Sequence, residues 1–196
     1  MRKNLRIFGV IAFLFTFSFS YAGEKTIVID VSHGGKDDGF EIDGFKEKEL
    51  AFEIASKIVA LNKDENVKII LTREGDYFVS LKDRVEHINS LNADYVISLH
   101  INSHKDANIK GFEFFVSAEN TLSEKSKNLA QEIEASISKE FLSNGIKNAN
   151  YYILKNVPTP ITLIEMGFLS NPDDRKLLTS IEGQDKIAEI IYNTIK

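Results

Sequence analysis

The sequence contains no cysteine, only three prolines and fewer basic than acidic residues, 24 against 29. Without cysteine there is no disulfide framework and no lipidated cysteine to act as an anchor. The fold must rest on packing alone, and any metal must be held by histidine and carboxylate. No internal repeat, low-complexity tract or Pro/Gly-rich linker follows Gly23, so nothing divides the chain into separate units. A compact H-E-x-x-H motif is also missing, so metal ligands have to be sought at separate places in the sequence.

The one long apolar run is at the start. Arg2, Lys3 and Arg6 precede Ile7 to Phe15, Thr16 to Ser20 follow, and Ser20-Tyr21-Ala22 offers small residues at the positions a signal peptidase reads. This is the layout of a cleavable secretory signal over residues 1–22, with cleavage after Ala22 and a periplasmic or secreted product. The run is short against the roughly 20 residues of a spanning helix, so no membrane anchor is expected in the mature form. The signal holds three of the basic residues and none of the acidic ones, which leaves the mature chain at −8. That charge argues against nucleic acid or an anionic membrane as partner. The remaining residues 23–196 suffice for one sizeable core and are too few for two comfortable domains.

Strand and helix patterns then alternate. Thr26-Ile27-Val28-Ile29 reads as a doubly buried strand. A helix is expected from Glu47 to Leu61, with Leu50, Ile54, Ile58 and Leu61 at helical spacing. Strands follow at Val67–Leu71, Tyr95–Leu99, Gly111–Val116, Tyr151–Leu154 and Ile161–Ile164. Helices are expected at Leu81–Leu91, Leu122–Phe141, Asp173–Leu178 and Asp185–Ile195. The pattern predicts a single α/β domain with a mixed, mostly parallel central sheet flanked by helices.

In such sheets functional groups gather beyond the carboxyl ends of the strands. His33 follows the first strand, His100 ends Val96-Ile97-Ser98-Leu99, and Glu165 ends Ile161-Thr162-Leu163-Ile164. Helical phase adds a fourth group. Glu47 lies three and four residues before Leu50 and Ala51, on the buried face, whereas Glu49 and Glu53 point nearer solvent. Two histidines and one glutamate are a ligand set of catalytic zinc, which polarises a carbonyl and activates water. Glu165 is the carboxylate left to act as base, and Gly34, Gly35 and Gly39 let the backbone approach closely. Each group also has a plainer reading. A strand-end histidine can be structural, Glu47 can serve the helix dipole, and Glu165 can pair with a buried Arg84. His87 reads as solvated or structural, and His104, in a polar loop, as exposed or bordering the cleft.

These segments resemble the zinc-dependent N-acetylmuramoyl-L-alanine amidases of the cell-separation type. The resemblance is carried by Ile29-Asp30-Val31-Ser32-His33-Gly34-Gly35-Lys36-Asp37-Asp38-Gly39, Lys46-Glu47-Lys48-Glu49-Leu50, Ser98-Leu99-His100-Ile101-Asn102-Ser103 and Glu165-Met166-Gly167-Phe168-Leu169-Ser170-Asn171. Thr72-Arg73, Leu81 with Arg84 and Asn89, and Gly111 also match, so the similarity spans essentially the whole mature chain. It implies one Zn2+ per chain held by His33, Glu47 and His100, with Glu165 as the catalytic glutamate. It implies peptidoglycan as partner, cut at the amide between N-acetylmuramic acid and L-alanine, and leaves open an activating protein. Asn102 and the amides of Gly34 and Gly35 are expected to orient the stem peptide.

The chain departs from the family pattern with Ser32 in place of Gly, where the hydroxyl is expected to alter the turn or satisfy a nearby carbonyl, and with Asp38 in place of Pro. Only Ser117 to Thr121 stands where some relatives insert an autoinhibitory segment, so an open cleft is expected. A peptidoglycan-binding repeat is also missing, so targeting is expected to come from the catalytic domain or a partner. The rival readings are a zinc carboxypeptidase or endopeptidase acting on stem peptides, and a catalytically inactive wall-binding relative.

Overall fold

The computed structural model describes residues 24–196. The export segment expected at 1–22 lies outside them. Among the described residues no helix is long and apolar enough to cross a membrane.

Six strands form one sheet: β1 (Lys25–Val31), β4 (Val67–Leu71), β5 (Tyr95–Asn102), β6 (Phe112–Val116), β7 (Ser143–Asn148) and β8 (Ile161–Phe168), in the order β4-β1-β5-β8-β6-β7. The first four in that order run parallel. β6 pairs antiparallel to β8 and parallel to β7, which makes the sheet mixed.

Strand alternation sorts the apolar side chains onto two faces. Ile27, Ile29 and Val31 of β1 and Ile97, Leu99 and Ile101 of β5 pack under α1 (Glu47–Leu61), α3 (Ser123–Ile137) and α6 (Ile181–Ile195). Val28, Val96 and Leu163 face the other way, against Val85 and Ile88 of α2 (Leu81–Ser90) and Ile153 and Leu154 of α4 (Tyr152–Asn156). α5 (Pro172–Thr179) begins on Asn171, whose side chain accepts from the amides of Asp173 and Asp174.

Three elements differ from the sequence pattern. Tyr151–Leu154 is not a strand: Ile153 and Leu154 are buried from the helix α4, and the two tyrosines remain exposed. β7 occupies Ser143–Asn148, a stretch whose one apolar side chain is Ile146, because the edge of the sheet supplies the pairing that the pattern does not announce. A two-stranded ribbon, β2 (Glu41–Ile42) and β3 (Phe45–Lys46), precedes α1. Its turn is Asp43-Gly44, both at positive φ (51° and 81°), the conformation that a two-residue hairpin demands and that Asp-Gly supplies.

The ribbon matters because it leads into α1. No side chain caps this helix; instead the Glu47 and Lys48 amides donate to the carbonyls of Phe40 and Asp38. The loop following β1 thereby closes the helix start and fixes Glu47 relative to His33.

Candidate metal centre

His33 has φ of 56°, a left-handed conformation rare for a residue with a side chain. Two buried arginines hold it there. The Arg84 guanidinium donates to the His33 carbonyl, and Arg73 donates through Nη2 to the carbonyls of Ser32 (2.9 Å) and Lys48 (2.6 Å), the residues next to His33 and Glu47. Arg73 is 1% exposed and Arg84 3%. Arg84 also meets Asp30 at 2.9 Å, and Asp30 accepts from Ser98 and Thr72, so the charge is paired and the carboxylate saturated. Burial pushes the Asp30 carboxyl up, but Arg84 and the Ser98 hydroxyl outweigh it and hold its pKa below the usual range. The pairing of Arg84 with Glu165, one reading of the sequence, is thus replaced by Arg84 with Asp30.

From this frame three ligand-type side chains converge. Glu47 Oε1 lies 3.0 Å from His33 Nε2 and 3.0 Å from His100 Nδ1, and it also accepts from the Ile101 amide at 3.1 Å. The other Glu47 oxygen accepts from the Phe40 amide at 3.1 Å. One atom from each of His33, Glu47 and His100 lies within 4.8 Å of the others, close enough to share one metal ion. The far nitrogen of His33, Nδ1, donates to Asp37 at 3.0 Å, which orients the ring and leaves Nε2 for the centre.

Burial disfavours the His33 cation, but Glu47 and then Asp37 override it and lift its pKa to about 9. Burial likewise opposes the Glu47 anion, and hydrogen bonds from His100 and His33 hold it far below the ordinary range. A carboxylate kept ionised between two imidazoles is a donor set that a divalent cation fits.

Glu165 stands beside this cluster. It is the Cα partner of His100 across β5 and β8, and of Glu113 across β6 and β8. Its Oε2 is buried and has no hydrogen-bond partner among the described residues. Burial is the largest influence on its pKa; His100 opposes it, Glu47 and Glu113 add to it, and the result is about 7. A desolvated acid poised near neutrality is suited to taking and returning a proton.

Gly39 explains how the cluster packs so closely. A Cβ there would come 2.5 Å from Glu47 Oε2 and 2.7 Å from the His33 ring. The amides of Gly34 and Gly35 donate to the Asp37 carbonyl and to the exposed Asp76. Asn102, at the end of β5, donates to Glu113 at 3.1 Å and accepts from the Ser103 amide. His87 and His104 are both exposed.

Of the two departures in the first loop, Ser32 is buried with its hydroxyl unpartnered, so no carbonyl takes it up. Asp38 is tied to Lys46 and Lys48. Sequence reasoning missed Asp37, Arg73 as a brace and the Lys48–Asp76 tie of 3.0 Å. The only advance signal for Asp37 was its place four residues after His33 in a glycine-rich loop. The connection from β6 to α3 is short, and His33 and His100 keep 23% and 24% of their side-chain surface, so the centre is reachable from solvent.

A strand-end cluster of two imidazoles and a carboxylate beside a desolvated acid has the donor set of a single-metal hydrolase centre. Comparison with known proteins gives the family. The chain belongs to the N-acetylmuramoyl-L-alanine amidase family, whose model matches residues 27–196. It is 30% identical over 230 residues to the germination-specific N-acetylmuramoyl-L-alanine amidase of Bacillus subtilis (strain 168), covering 100% of this chain and 95% of that protein. Among solved structures it is similar to an N-acetylmuramoyl-L-alanine amidase from Clostridium difficile 630, with a TM-score of 0.83 and 32% identity over 89% of this chain and 96% of that one. It is also similar to the CwlD amidase from Clostridioides difficile, solved in complex with the GerS lipoprotein, with a TM-score of 0.79 and 31% identity over 87% and 96% of the two chains.

Proposed function

We propose that this chain hydrolyses the amide between N-acetylmuramic acid and L-alanine of peptidoglycan, using one Zn2+ held by His33, Glu47 and His100, with Glu165 as the proton carrier. The observation that carries the reading is the shared approach of two imidazole nitrogens to Glu47 Oε1, beside a buried and unpartnered Glu165 oxygen. When bound, Zn2+ supplies Lewis acidity toward water and the scissile carbonyl. Glu165 accepts the proton of the attacking water and returns it to the departing L-alanine nitrogen, a double duty for which a pKa of about 7 is suited. Asp37 orients His33, the carbonyl contacts of Arg73 and Arg84 hold the ligand loop, the Gly34 amide closes that loop on Asp37, and the Gly35 amide ties it to Asp76. Asn102, which reaches Glu165 through Glu113, would contact the stem peptide in this reading.

Export by residues 1–22, maturation to a domain spanning 23–196, and action in the periplasm or outside the cell complete the proposal. A protein activator belongs to it as an open partner, since the CwlD amidase was solved with a lipoprotein. The test is digestion of purified peptidoglycan with and without a chelator, followed by mass analysis. The expected products are sugar-free stem peptides and peptide-free glycan, lost with the chelator and restored by zinc. Shortened stem peptides still joined to glycan would instead assign a carboxypeptidase or endopeptidase.

A further inference from the structure

Beside the metal centre is a cavity of about 280 Å³ whose aromatic wall the reaction as described does not use. Leu81, Tyr151, Tyr152 and Leu163 wall it, and Glu165 and His100 form part of its lining. Three of these walls are apolar groups held toward solvent: Leu81 is 58% exposed, Tyr151 44% and Tyr152 46%. Tyr151 stands at the cap of α4 and Tyr152 opens the helix; both leave ring surface in solvent, yet their support is rigid. Ile153 and Leu154 anchor α4 in the core, and Asn120, itself 4% exposed, donates to the carbonyls of Leu154 (2.7 Å) and Val157 (2.9 Å). The Tyr151 ring leans on Phe115 with centroids 5.5 Å apart. The aromatic surface is therefore preset, which lowers the entropic cost of binding against it.

The chemistry of the lining selects the occupant. It carries no lysine or arginine, and its acid is Glu165, with Glu113 opposite in the sheet. A stem peptide bearing carboxylates finds no lysine or arginine in this lining to pair with. A pyranose ring is uncharged, presents a C–H face that packs on a phenol ring, and carries hydroxyl and acetamido groups for the polar rim.

We propose that Tyr151, Tyr152 and Leu81 form the glycan subsite, seating the N-acetylmuramoyl ring so that its lactyl carbonyl is delivered to Glu165 and the metal ligands, with the stem peptide running the opposite way. This rests on the amidase reading and deepens it by assigning the sugar side of the cleft.

The test uses a neutral N-acetylglucosamine tetrasaccharide and a free stem tetrapeptide as probes, titrated into the zinc-loaded protein by calorimetry. Tyr151→Ala and Tyr152→Ala are each expected to weaken the tetrasaccharide about fivefold or more, the equivalent of one lost aromatic contact, and to leave zinc content unchanged; Tyr152→Ala also keeps the wild-type melting temperature. The Phe variants keep the ring and are expected to bind within about twofold of the wild type. On soluble glycan-bearing muropeptides the Ala variants are expected to lose activity through KM rather than kcat. Undiminished sugar binding in the Ala variants overturns the proposal. So does a wild type that binds no tetrasaccharide, a loss confined to the tetrapeptide, or a tyrosine-dependent dimer of this chain. Failure of the amidase reading shows separately, as missing wild-type products in the digestion, because sugar binding requires no hydrolysis.

Discussion

Replacing Gly39 by alanine tests whether the close packing around the ligands serves metal binding. The new methyl carbon would sit 2.5 Å from Glu47 Oε2 and 2.7 Å from His33 Cδ2. Ordinary carbon contacts begin near 3.4 Å, so both side chains must retreat by roughly 0.7–0.9 Å. Metal–ligand distances tolerate only about 0.2 Å of error. Neither group can yield freely, since Glu47 is tied to the Ile101 and Phe40 amides and His33 to Asp37. Zinc affinity should therefore fall about 10- to 100-fold, the range seen when ligand support is disturbed. Alanine at φ of 67° also costs about 1–2 kcal/mol of stability in its own right. Gly145 separates the two effects, for it has φ of 78° and nothing within 4 Å of a built Cβ. Gly145→Ala should lose similar stability and keep full zinc affinity. Competition with a chromophoric chelator and urea unfolding of the metal-free protein read the two quantities. Wild-type zinc affinity in Gly39→Ala, or an equal loss in Gly145→Ala, would refute the reasoning.

Three further outcomes are expected. Glu165→Gln should retain one zinc while kcat on peptidoglycan falls about 10²- to 10⁴-fold, the usual contribution of a proton carrier; metal bound with full activity contradicts its role. Arg84→Met strands the Asp30 carboxylate in the core and should cost about 3–5 kcal/mol in urea unfolding. Because the folded pKa of Asp30 is depressed, its stabilisation is present above the unfolded carboxylate pKa and is lost as pH falls through the lower folded value, so the acid-side slope of wild-type stability should flatten in this variant. Ser32→Ala removes a buried hydroxyl without a partner and should raise stability by up to about 1 kcal/mol; a loss of that size would show the hydroxyl in use.

Periodicity and strand ends carried much of this architecture. The span Glu47–Leu61 and the strand Val67–Leu71 were legible to the residue, because each has an apolar rhythm unbroken by glycine or proline. The inward aim of Glu47 was legible for the same reason, being a matter of helical phase. β7 was not, since Ser143–Asn148 is polar apart from Ile146 and pairs only because β6 offers an open edge. The helix at Tyr152–Asn156 was hidden by β-favouring residues; burial of Ile153 and Leu154 overrides their propensity. The convergence of His33, His100 and Glu165 followed from topology, but the bracing by Arg73 and Arg84 did not. Their targets are backbone carbonyls, which leave no mark in side-chain spacing.

The most direct measurement is diffraction at the zinc absorption edge from crystals of the zinc-loaded protein. The account predicts a single anomalous peak bonded at about 2.0–2.2 Å to one nitrogen of His33, one oxygen of Glu47 and Nδ1 of His100, with Glu165 outside the ligand set. A peak elsewhere, or Glu165 in place of Glu47 on the ion, would contradict it.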